Sequence, residues 1–182
     1  MGWIIAIVVI ALIVVYFIAT YNGLVGFRNK VKDQWAQIEV LLKRRSDLIP
    51  NLVETVKGYA SHEKETFDAV ISARAKAVSA NTVEDEMKAA GELSQALGRL
   101  MAISEAYPEL KANANFIDLQ NNLKDTEDKI AYARQFYNDA VLNYKNKLEM
   151  FPSNIVANIF KFKKFEFFKI DEKEKEVPKV KF

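Results

Sequence analysis

The first twenty-seven residues carry no side chain that is charged at neutral pH, and the first charge along the chain is Arg28. Trp3 to Ala19 is an unbroken apolar run dominated by Ile, Val and Leu. With Thr20 and Tyr21 it reaches about 20 residues. At about 1.5 Å rise per residue, that spans a hydrocarbon core of about 30 Å. Trp3 at one end and Tyr16 and Tyr21 towards the other suit the aromatic belts of the two interfaces. A helix apolar on every face needs apolar surroundings on every face, so 1–23 is predicted to be a transmembrane anchor. A secretory signal fits worse: it opens with basic residues, has a shorter apolar core and ends at a small-residue cleavage site. No Lys or Arg precedes the run, and no cysteine follows it for a lipid modification. Arg28, Lys30 and Lys32 lie just beyond it. The positive-inside rule then predicts a single-pass protein of the cell membrane, N-terminus outside and the remainder in the cytoplasm.

After the anchor about 155 of the 182 residues remain, enough for one domain with a real core. The 26 basic and 24 acidic residues nearly cancel, which excludes the single-sign field of a nucleic-acid binder. The absence of cysteine excludes disulfides, thiol nucleophiles and thiolate metal sites. Six Gly and four Pro give little of the punctuation a sheet protein needs, and no segment alternates with period two over a strand length.

Helical spacing does recur. Val31, Trp35, Ile38, Leu42, Arg45, Ile49, Leu52, Val56 and Tyr59 follow steps of three and four, the seam of a helix continuing from the anchor. Pro50 interrupts this seam and predicts a kink or a restart, and Gly58 with Ser61 predicts a turn. A second helix is read over 61–80, capped by Ser61, with Phe67, Val70, Ile71, Arg74 and Val78 on one side. Thr82 and Asp85 form a weak capping box for a third, which buries Met87, Ala90, Leu93, Leu97, Leu100 and Met101 and stops at Tyr107-Pro108. The fourth is read from Pro108 to Glu149 with a stripe of Phe116, Leu119, Leu123, Ile130, Ala133, Tyr137, Val141, Tyr144 and Leu148. The predicted fold is all-α: the anchor, then an antiparallel up-and-down four-helix bundle over 24–152 with two long and two shorter helices. The middle helices are too short to cover their neighbours. Apolar surface near Trp35 and Tyr144 is therefore left for 153–170, a Phe- and Lys-rich amphipathic segment, which either folds back over it or lies on the membrane interface. Residues 171–182 read as a charged, disordered tail.

The stretches YNGLVGFRNKV and QIEVLLKRRSDLIPNLVETVKGYASHE, then AYPELKANANFIDLQNNLKDTEDKIAYARQFYNDAV and FPSNIVA, resemble the LemA family of bacterial membrane proteins. The resemblance covers about Tyr21 to Phe160. It implies a single-pass protein with a helical bundle and no established molecular activity. It also implies relatives associated with bacterial membrane organelles, and genes that often neighbour one for a membrane zinc protease.

Chemical candidates are few. His62 in SHEKE superficially resembles a sensor-kinase phosphoacceptor box. Yet it falls at a turn, the Pro expected a few residues on is missing, and no Gly-rich phosphate cradle occurs. One His and no Cys leave only carboxylates for a metal, without the Glu-x-x-His units of di-metal bundles. No Ser or Thr has a His partner in a motif. No catalytic residue, cofactor or metal site is expected. What stands out is polar residues at core positions. Arg45 sits in the seam and Arg74 on an apolar side. In an antiparallel pair of long helices Arg45 falls opposite the neighbourhood of Glu127 to Ile130; of the acids there Glu127 flanks the apolar stripe while Asp128 turns further towards solvent, and Arg134 lies one heptad beyond Glu127. These four are read as a structural polar layer, with Arg45 and Glu127 paired. The functional expectation is a non-catalytic membrane scaffold or adaptor. A regulator of a membrane protease is the alternative, and a histidine phosphotransfer module the less favoured third reading. The expected partners are the lipid bilayer and other membrane proteins, with self-association left open and nucleic acid excluded.

Overall fold

The computed structural model describes residues 1–168, so the tail assigned to 171–182, with the last two residues of the Phe- and Lys-rich segment, lies outside the described residues. Among them every regular element is helical: α1 (Gly2–Lys57), α2 (Lys64–Ser79), α3 (Val83–Ser104), α4 (Pro108–Lys111), α5 (Ala114–Glu149) and α6 (Ser153–Ile159). The all-α class is as the periodicity predicts.

α1 runs unbroken from the apolar stretch through the seam, 56 residues in one helix, and Pro50 lies inside it without a restart. Proline has no amide hydrogen to give to the carbonyl four residues back, that of Ser46. Arg74 Nε on α2 donates to this carbonyl instead, at 2.8 Å. The missing rung is supplied by a neighbouring helix.

The chain divides into two compact units. One comprises Ile38–Tyr132, with Phe168. Its core gathers Ile49, Leu52, Val53 and Val56 of α1, Phe67, Val70 and Ala73 of α2, Leu93, Leu97 and Leu100 of α3, Leu110 of α4, and Phe116 and Leu123 of α5. Each fully buried aliphatic side chain here contributes about 1.5–3 kcal/mol. The side-chain pairs set the directions. Ser46 meets Arg74 while Lys57 lies over Phe67, so α2 runs back along α1. Arg45 meets Glu127 while Tyr59 meets Asn113; fourteen residues forward on α1 match fourteen back on α5, an antiparallel pair. Lys76 bonds Glu92 across the α2–α3 hairpin. Within this unit the four helices alternate in direction as predicted.

Local boundaries differ in two places and one buried face is shifted. α2 begins at Lys64 after Glu63, with no side-chain cap, not at Ser61, because residues 58–62 are used in consecutive turns. Its buried face is Phe67, Val70 and Ala73, whereas Ile71 and Val78 are 47% and 64% exposed. They lie one position around the helix from the residues that point inward. The fourth helix is two: Pro108 opens a single turn, and α5 starts afresh where Asn113 accepts a bond from the Phe116 amide at 3.1 Å. At α3 the Thr82 hydroxyl accepts from the Asp85 amide, the predicted cap.

The other unit comprises Met1–Gln37 and Ala133–Phe167. Leu24, Val31 and Trp35 of α1 are buried there, as are Tyr137, Val141, Tyr144 and Leu148 of α5 and Val156 and Ala157 of α6. Trp35 and Tyr137 meet edge to face at 5.3 Å. After a cis Phe151–Pro152 bond the chain turns back. The Ser153 hydroxyl donates to the Lys147 carbonyl in the last turn of α5 at 2.7 Å. α6 then closes with a two-bond cap: the Phe162 amide donates to Ala157 and the Lys161 amide to Asn158. That motif needs a left-handed residue after the helix, and Lys161, at φ 53°, fills the place usually given to glycine. Residues 162–167 run extended along α5. The Tyr137 hydroxyl donates to the Glu166 carbonyl at 2.9 Å and the Tyr144 hydroxyl to the Lys163 carbonyl at 3.1 Å. The described part of this segment returns over the helices, the first of the two dispositions predicted for it.

Candidate functional site

Arg45 is one of the largest fully buried side chains among the described residues, 1% exposed. The helical step that places Ile38, Ile49 and Leu52 in the core places Arg45 there too. Its Nη1 donates to Glu127 Oε1 and to Ser94 Oγ, both at 2.9 Å, and its Nη2 donates to the Ala90 carbonyl at 3.2 Å. Three helices are therefore joined through one guanidinium. Such an arrangement fixes alignment more than it adds net stability, because desolvating the charges offsets much of their attraction. Beside it Arg44 lies 3.7 Å from Asp125, whose carboxyl is held below its usual range, first by the hydrogen bond from Lys129.

A cleft of about 230 Å³ opens next to Arg45, lined by Glu39, Leu42, Ser46, Val78 and Glu86 among others. Burial, and then the nearby Glu39 carboxylate, push the Glu86 carboxyl up from its ordinary value. Arg74, half-buried, is committed to the Ser46 carbonyl. Arg134 is half-buried on α5, in the other unit. His62 is exposed in the turn before α2 and on no helix. No group of three or more His, Cys, Asp or Glu side chains is arranged to hold a metal among the described residues.

The unit made of Met1–Gln37 and Ala133–Phe167 presents a different surface. None of the first sixteen residues is buried, and Trp3 is 69% exposed. α1 is the one described helix long and apolar enough to cross a membrane. Tyr16 packs edge to face on Phe17, whereas Tyr21 packs on Phe160 and Phe162 at 4.7 and 5.6 Å. Arg28 lies over the Phe162 ring at 5.5 Å. A cleft of about 500 Å³ follows, lined by Tyr21, Arg28, Lys32 and residues 160–165. Deeper in this unit, burial and then the Glu166 carboxylate raise the Tyr137 hydroxyl to about 12, and burial raises that of Tyr144 against a smaller opposing pull from Arg28. Sequence reasoning did not single out this cleft. The alternating Phe and Lys of KFKKF were visible, but their meeting with Arg28 depends on the chain reversal after Phe151.

The model of the LemA family matches residues 34–182. The magnetosome protein MamQ 2 of Paramagnetospirillum magneticum is 30% identical over 191 residues, covering 88% of this chain and 70% of that protein. The magnetosome protein MamQ of Magnetospirillum gryphiswaldense is 28% identical, over 81% of this chain and 64% of its own length. The protein LemA of Metamycoplasma hominis is 24% identical, over 78% and 65% respectively.

Proposed function

The chain belongs to the LemA family and is membrane-associated, and on that premise we propose that it is a membrane-anchored, non-catalytic scaffold or adaptor. The observation that carries this reading is the division of labour along α1. Its first sixteen residues are apolar and uncovered, while further along the same helix Arg45 is consumed in joining three helices. The uncovered stretch suits a bilayer. The alternating helices offer a rigid body that presents surface rather than a reaction centre. The bilayer and other integral membrane proteins are its partners, and self-association is compatible with the same architecture. Arg28, Lys30 and Lys32 beyond the span favour a cytoplasmic bundle with the N-terminus outside.

Affinity capture of the full chain from detergent-solubilised membranes tests the reading. The expected result is one or a few integral membrane proteins retained in stoichiometric amounts, and their loss when the exposed faces of α2 and α3 are recharged. A dominant membrane protease in that fraction would favour the regulator reading. Phosphate transfer from a kinase to His62 would overturn the scaffold. Orientation is read by protease: in intact wall-less cells the bundle should survive, and it should be cleaved only after permeabilisation.

A further inference from the structure

The cleft of about 500 Å³ in the unit formed by Met1–Gln37 and Ala133–Phe167 is lined by five cations, Arg28, Lys32, Lys161, Lys163 and Lys164, and by no acid. Lys164 is satisfied by Glu149 at 2.8 Å. Among the described residues no carboxylate pairs with the other four. Clustered cations without a counter-charge repel one another, and an anion from outside the protein completes such a cluster. Arg28 is also oriented, because its guanidinium is held on the Phe162 ring.

Position identifies what completes it. Tyr21 closes the apolar run and is itself a wall of the cleft, packed on Phe160. Arg28 lies seven residues further, about 10 Å along the axis. The headgroup layer extends about 5–8 Å beyond the hydrocarbon, so long basic side chains that bend back reach the phosphates. Ile155, Ile159 and Phe160 on the outer face of α6 are 45%, 58% and 52% exposed. A short helix with apolar residues outward, followed at once by Lys161, Lys163 and Lys164, has the composition of an element seated in the interface.

We propose that this cleft binds the phosphate of an anionic phospholipid in the bilayer that α1 crosses. Arg28, Lys32, Lys161 and Lys163 hold the headgroup, and α6 rests its apolar face among the neighbouring acyl chains. The proposal rests on the anchor reading above. It adds a headgroup preference that an apolar span alone does not have, because phosphatidylcholine carries its own compensating cation.

The test uses the full chain in vesicles of mixed phosphatidylglycerol and phosphatidylcholine, with bromine on the acyl chains of one lipid or the other at equal mole fraction. Phe160→Trp in a Trp3→Phe background reports on the cleft; buried Trp35 supplies a constant signal, measured without Phe160→Trp. Brominated phosphatidylglycerol should quench the reporter as though enriched about five-fold over phosphatidylcholine, a ratio set by the usual attraction of one basic side chain to an anionic surface. Arg28→Gln, Lys32→Gln, Lys161→Gln and Lys163→Gln together should bring the ratio to one. The pair Lys32→Gln and Lys163→Gln, both at exposed positions, should give an intermediate value. Equal quenching in the parent protein, or a preference that survives all four substitutions, overturns the proposal. Erasure of the preference by inorganic phosphate or by a short oligonucleotide also overturns it, in favour of a soluble anion or a nucleic acid. Trp3 in the unmodified chain is the separate control. If both lipids quench it while the reporter shows no preference, only the headgroup site fails. If neither quenches it, the anchor fails as well.

Discussion

Removing Glu127 and removing Arg45 should have very unequal effects, although they delete the same ion pair. Glu127→Ala leaves a guanidinium that is 1% exposed with only Ser94 Oγ and the Ala90 carbonyl as acceptors. Stranding a buried charge costs about 3–5 kcal/mol. The Glu127 side chain is 36% exposed, so water enters the vacated position and screens part of that. The expected loss is about 2–3 kcal/mol. Arg45→Met strands nothing. Glu127 turns into solvent, and the Ser94 hydroxyl already donates to the Ala90 carbonyl at 3.1 Å. Its expected cost is at most about 1 kcal/mol, since a volume-conserving side chain fills the same core position. Arg45→Met with Glu127→Leu should fall near the parent protein, giving a coupling of about 2–4 kcal/mol. Urea unfolding of the four proteins in one mild detergent, followed by far-ultraviolet circular dichroism, measures all of these. An Arg45→Met loss equal to or larger than that of Glu127→Ala would falsify the argument, because the pair would then be a net source of stability and not a device of alignment.

Three further outcomes follow from local geometry. Lys161→Gly should stabilise the return segment by about 0.5–1 kcal/mol, the relief of a left-handed side chain less the added freedom of the unfolded chain; slower hydrogen exchange at the Phe162 amide is the readout, and Lys161→Ala should show no such gain. Tyr137→Phe should cost about 1 kcal/mol and speed exchange in 163–167, while titration of tyrosine absorbance in the parent protein should find one hydroxyl still protonated until pH nears 12. Glu86 has its folded-state value raised by burial and by Glu39. The folded protein therefore holds this proton more tightly than the unfolded one, and stability falls as pH rises from 4.5 through the raised value; Glu86→Gln should remove that slope and leave the protein more stable at neutral pH.

Long-range features were the legible ones. The seam of α1 could be read because buried Val31, Trp35, Ile38, Arg45, Ile49, Leu52 and Val56 repeat long enough for the period to be unmistakable. Equal rise on two antiparallel helices then sets Arg45 against the stretch from Glu127 to Ile130, and the place of Glu127 beside the apolar stripe selects it over Asp128. Helix starts were less legible. Ser61 has the chemistry of a cap, but the turns over 58–62 carry the chain past it. Asn113 caps α5 because Pro108 starts a turn that ends too soon, and both outcomes depend on loop geometry that residue type does not encode. The acceptor of Arg74 was not legible for a similar reason: it is a backbone carbonyl freed by a proline on another helix.

That last contact bears on the order in which the molecule assembles. A long helix forms by local steps and needs no partner for most of its length, but α1 is weakest where Pro50 withholds a hydrogen bond. Its repair there arrives only with α2, through Arg74, after the chain has reversed. The α2–α3 hairpin is thus more than a cover for one side of α1: its docking completes the backbone of the helix it packs on. Losing Arg74 should show first as a local opening around Ser46 in native-state hydrogen exchange, well before any global unfolding. Restoring an amide with Pro50→Ala should close that opening without α2's help.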